Sequence, residues 1–147
     1  LDHSRTGAVE FELVEFKAPV SVWNPDPTAG VWLASDYEGS EGRTGYVKET
    51  AGAYYAARLT ILEYLDSIDR QAKALVLRHV SEDYWGPVGV WQVREAIRHA
   101  FDGDYAESET FDDAVVGITE QLPMNLADLR RKSTLAAGRQ TGLDAFG

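Results

Sequence analysis

Two adjoining stretches limit what this chain can fold into. From about Glu49 to Ile68, the residues Tyr54, Ala57, Ile61, Leu65 and Ile68 recur at spacings of three and four, which places them on one face of a helix. Tyr55, Leu59 and Leu62 add apolar area on a flank, so this helix is expected to be central. Directly after it, Ala72 to Val80 is a near-continuous apolar run, the pattern of a strand covered on both faces. A helix that feeds a buried strand excludes an all-α or an all-β chain.

The remaining pattern fills in an α+β domain: a small, mostly antiparallel sheet packed against three to four helices, with a flexible C-terminal tail. Val9, Phe11 and Leu13 alternate with Glu10 and Glu12, which predicts a half-buried strand. The phase then shifts to Val14 and Phe16, so a bulge or strand end is expected near Val14. Val20 to Trp23 reads as a short extended piece, Asn24-Pro-Asp-Pro as a turn, and Val31 to Ala34 as the returning strand. Asp36 to Gly45 reads as an exposed loop. A second helix is expected over Val90 to Phe101, with Val90, Val93, Ile97 and Phe101 inward, and a third over Phe111 to Gln121 with Thr110 as its N-cap. Leu126 and Leu129 mark a short fourth. The domain is thus expected to occupy residues 1–132 and the tail 133–147, where Ser, Thr, Ala and Gly thin the composition.

Charge narrows the function classes. The 147 residues hold 24 acidic and 14 basic side chains, a net charge of −10. From Asp128 onward four basic residues (Arg130, Arg131, Lys132, Arg139) outnumber two acids (Asp128, Asp144), so the last segment is +2 and the body −12. A body this acidic repels nucleic acid as a whole. Only four of the basic residues are lysines while twelve of the acids are aspartates, a balance that suggests a salt-adapted, halophilic cytosol. No cysteine is present, which excludes disulfides, thiolate metal sites and a cysteine nucleophile. No apolar stretch approaches the roughly 20 residues a membrane-spanning helix needs. Neither end reads as a secretory signal, so a cytoplasmic location is expected, as is a start at Leu1 within something longer.

The last nine residues, Arg139-Gln-Thr-Gly-Leu-Asp-Ala-Phe-Gly147, carry the sharpest signal. Gln140, Leu143 and Phe146 are spaced by three, so one 3₁₀ turn projects Leu143 and Phe146 together as two apolar prongs. The Gln140 amide can both donate and accept in a polar pocket. Such an end suits a short peptide ligand. The plain alternative is that Leu143 and Phe146 fold back onto the domain.

These residues resemble the PIP box, the motif that binds the replication sliding clamp (PCNA), with pattern Gln-x-x-aliphatic-x-x-aromatic-aromatic. Gly147 stands where the last aromatic would be, which removes one anchor. The resemblance extends upstream. Ala53-Tyr-Tyr-Ala-Ala-Arg-Leu-Thr-Ile-Leu-Glu-Tyr-Leu65, Gln71-Ala-Lys-Ala-Leu-Val-Leu-Arg-His79 and Gly86-Pro-Val-Gly-Val-Trp-Gln-Val-Arg-Glu-Ala-Ile-Arg98 are similar to the C-terminal domain of the archaeal Nre DNA-repair family. The likeness covers about residues 20–147. It implies an archaeal DNA-repair protein recruited to the clamp through Gln140, Leu143 and Phe146, nucleoid-associated when recruited, with DNA contacted weakly or through that partner. On this resemblance, the family's N-terminal portion, which in many members carries a cysteine-rich zinc motif, is expected to lie outside these residues. The resemblance carries no catalytic residues.

Other constellations are weaker. Trp91, Arg94 and Arg98 share a helix face opposite Val90, Val93 and Ile97, and an exposed Trp with two guanidiniums suits a base and a phosphate. The competing reading is a packed Trp with both arginines paired by Glu95 and nearby acids. His3, His79 and His99 lack ligand spacing, so no metal is expected, and nothing calls for a cofactor. Asp112-Asp113 and Glu82-Asp83 read as helix-start charge and loop solvation. A metal-dependent nuclease or nucleotide-processing enzyme, its site in the acidic domain or the N-terminal part expected to be missing, is the alternative function, since distant acids can converge. A scaffold domain whose tail packs on itself is the third.

Overall fold

The computed structural model describes residues 1–3, 9–19, 21, 24–26, 28, 30–39, 41, 45–80, 90–103 and 106–138. Among the described residues three strands, β1 (Glu10–Lys17), β2 (Trp32–Glu38) and β3 (Lys73–Val80), form a sheet in the order β2-β1-β3. Four helices accompany them among the described residues: α1 (Ala51–Ser67), α2 (Val90–Asp102), α3 (Phe111–Thr119) and α4 (Leu126–Lys132). The α+β class expected from the patterning is observed. The sheet is mixed, because β1 pairs antiparallel with β2 but parallel with β3. Parallel pairing needs a long connection, and the segment through β2 and α1 supplies it.

Central position explains how β1 behaves. Phe11 and Leu13 pack with Tyr54, Ala57, Ile61 and Leu65 of α1 and Val93 of α2. Val14, in the opposite phase, packs with Val115 of α3, Leu129 of α4 and Ala136. The phase shift at Val14 is therefore not a bulge: the register runs unbroken from Glu10 to Lys17 on β3 and from Phe11 to Lys17 on β2. The strand simply has two buried faces, and the polar half of its alternation is buried with it. The both-faces pattern expected of Ala72–Val80 belongs to an edge strand. Ala74 and Val76 meet the α1 layer and Leu75 and Leu77 the α3–α4 layer, yet only Ala74 and Val80 in β3 fall into the buried class.

Other boundaries differ for related reasons. Asp36 to Glu38 is strand, not exposed loop, because β1 continues to offer ladder partners as far as Phe11↔Glu38. Ile68, in phase with the buried face of α1, is the residue that closes the helix and is exposed. Thr110 does cap α3, accepting from the Asp113 amide at 3.0 Å, with Asp112 and Asp113 in the first turn. The turn at Asn24 is closed by its own side chain. Its Oδ1 accepts from the Asp26 amide at 2.8 Å, and its Nδ2 donates to the Gly30 carbonyl at 2.9 Å. Most of the extended piece expected over Val20–Trp23 lies outside the described residues. No described helix is long and apolar enough to cross a membrane.

Candidate functional site

The β1 and β2 sequence places five carboxylates, Glu10, Glu12, Glu15, Asp36 and Glu38, in the buried class. Each has a donor, as burial of a charge demands. The Tyr37 hydroxyl donates to Glu10 at 3.1 Å, and Arg78 pairs with Glu15. Glu38 accepts from the Tyr54 hydroxyl at 2.8 Å and from Arg58 Nε at 2.5 Å. Asp36 ties the entry of α1, accepting from Lys48 N, Glu49 N and Thr50 N, and from Thr50 Oγ1 at 2.7 Å. Burial pushes the Asp36 carboxyl up, but these four hydrogen bonds outweigh it and hold the group below its ordinary value.

Glu12 matters most for the C-terminal segment. Its side chain is fully buried, and three donors from just beyond α4 converge on it. Ser133 Oγ donates to Oε1 at 2.5 Å, Thr134 N to Oε2 at 2.9 Å and Leu135 N to Oε1 at 3.0 Å. Burial raises its pKa more than these bonds lower it. Ser133 Oγ in turn accepts from Ala136 N at 3.0 Å. Leu135 and Ala136 are 1% and 3% exposed. The Gly138 amide donates to Leu135 O at 3.0 Å with φ at +73°, a left-handed turn that suits glycine. The expectation that the tail starts at Ser133 is therefore corrected: through Ala136 the segment is packed against β1, because Glu12 and the α3–α4 layer give it polar and apolar partners. Gln140, Leu143 and Phe146 lie outside the described residues; Gln140 follows Gly138 by two positions.

The second set of residues singled out by spacing is brought together differently. Arg94 Nη2 donates to Glu63 at 2.9 Å, and Arg98 donates to Glu63 at 3.3 Å and to Glu95 at 3.1 Å. These pairs join α2 to α1, and beside them Tyr64 stacks on Phe101 at 3.8 Å. Desolvation pushes the Glu63 carboxyl up, but the hydrogen bonds and charges of Arg98 and Arg94 together hold it below its usual range. The Trp91 side chain and Gly86 lie outside the described residues. His79 stacks on Phe16 at 5.0 Å, His3 Nδ1 lies 3.2 Å from Gln71 O, and His99 is exposed. Among the described residues, no group of three or more His, Asp or Glu converges as a metal ion would require. Sequence reasoning missed Glu12 and Asp36 altogether. Acids alternating with apolar residues read as solvent-facing, and nothing local signals donors 121 to 123 positions away.

The packed segment and the residues that follow it fall within a family shared with known proteins. Residues 38–146 match the family model described as archaeal Nre, C-terminal. The chain is 69% identical over 140 residues to the DNA repair protein NreA of Haloferax volcanii, covering 95% of this chain and 33% of that protein. It is 38% identical over 137 residues to the DNA repair protein NreB of Archaeoglobus fulgidus, covering 92% and 34%. To the DNA repair protein NreA of the same organism it is 34% identical over 136 residues, covering 92% and 32%. The chain thus spans about a third of the length of the curated relatives it matches. No solved structure matches.

Proposed function

Because this chain belongs to the archaeal Nre family, we propose that it serves in a DNA repair protein as the part that ties it to the replication sliding clamp. One observation carries the reading: the Gln140-x-x-Leu143-x-x-Phe146 pattern begins two residues beyond a segment that Glu12 and the core hold in place. The family match also runs through Phe146. Leu143 and Phe146 supply apolar anchors and Gln140 the polar one. Tethering raises the local concentration of the repair protein at clamp-loaded DNA without requiring the acidic body to bind DNA. The −12 body then reads as salt adaptation of a domain delivered by a partner.

Removing one aromatic anchor tests this. Full burial of a Phe side chain is worth roughly 1.5–3 kcal/mol, so Phe146→Ala should weaken clamp binding by about 10- to 100-fold in a calorimetric titration. Equal binding by both proteins, or no binding by either, overturns the proposal.

A further inference from the structure

We infer that Glu12 is a latch for the recruitment segment: it fixes the point at which the clamp-binding peptide leaves the domain, and so keeps the domain within a short reach of the clamp. The inference rests on the recruitment reading above and adds the residue that positions its peptide. Glu12 lies on the central strand, and it is 0% exposed. Three donors from consecutive residues, Ser133, Thr134 and Leu135, point at its two oxygens. An ionised carboxylate offers acceptors at both. The rest of the segment follows from that hold. Ser133 Oγ passes the constraint to Ala136 N, Ala137 N donates to Ser133 O at 3.2 Å, and Gly138 N closes the turn on Leu135 O. On the other side, Ser35 Oγ donates to Lys132 O at 3.3 Å and Lys132 Nζ to Glu49 at 2.8 Å, so α4 is tied to β2 and to the entry of α1 just before the latch.

The consequence is geometric. With 133–138 held, only Arg139 separates the fixed segment from Gln140. Were the segment released, six more residues would join the tether and add up to about 20 Å of reach at full extension. A held root restricts where the domain can sit relative to the clamp, whereas a loose one averages over many placements.

Glu12→Gln tests the latch in the intact protein. The amide presents an NH₂ group to one of the donors, leaving that donor unpaired. Amide hydrogen exchange across 133–138 should accelerate by roughly tenfold or more, while α1 amides keep their protection. A flexible Gly/Ser insert of about six residues after Gly138 adds about 13 Å of root-mean-square span without touching the core. Distances between a spin label on α3 and one on the clamp should be narrowly distributed for the wild type and broad for both variants. Unchanged exchange in Glu12→Gln, or an insert that leaves the distance distribution as narrow as in the wild type, overturns the latch. If Glu12→Gln does not fold, the insert decides alone. If the wild type does not bind the clamp, the recruitment reading falls, and exchange in Glu12→Gln still decides whether Glu12 holds the segment.

Discussion

At the scale of single residues, the acids of the sheet divide by what surrounds them. Glu12 titrates above its ordinary value because burial dominates, whereas Asp36 titrates below because its hydrogen bonds do. The linkage signs are opposite. A folded-state pKa above the unfolded value means the fold takes up a proton more readily, so folding is less favourable with Glu12 ionised than with it protonated, and this difference fades as pH falls through its raised pKa towards 4.5. Asp36 contributes stability that is complete above 3.8 and is lost as pH falls through its lowered pKa. Denaturant midpoints measured against pH should therefore show Glu12→Gln flattening the profile above 4.5 and Asp36→Asn flattening it below 3.8. At neutral pH each substitution should still cost about 1–3 kcal/mol, since each leaves buried donors unpaired.

At the scale of elements, what local pattern can carry was legible. The spacing of Tyr54, Ala57, Ile61 and Leu65 marked the inward face of α1, and all four are buried. Thr110 ahead of Asp112 and Asp113 marked the start of α3; Thr110→Ala should cost about 1 kcal/mol, read as a lower thermal midpoint. What was not legible depends on pairing across the chain. Glu10 and Glu12 look solvent-facing until β1 is known to be central, and Ser133 to Ala136 look like a linker until Glu12 is known to face them. The packed status of that segment has its own check. Leu135 is 1% exposed, and Leu135→Ala should cost about 2–5 kcal/mol in chemical denaturation. A linker residue would cost nothing measurable. The Arg94 and Arg98 stripe was legible as a shared face, but only the α1–α2 packing reveals Glu63 as their common partner.

At the scale of the whole molecule, the proposed function divides the labour between an acidic body and a short recruitment segment. Repulsion within the −12 body opposes compaction, and salt screens it, so the thermal midpoint should rise as KCl is increased from low ionic strength. The stretch that precedes Arg139, Ser133 to Gly138, is rooted in the core at β1, the strand on which both helical layers meet. Recruitment as proposed needs no cationic surface on the body. The most direct measurement compares clamp affinity of the intact protein with that of a version stopped after Gly138. Loss of binding by the shortened protein, with an unchanged thermal midpoint, is the expected result; clamp binding as tight as that of the intact protein would contradict the account.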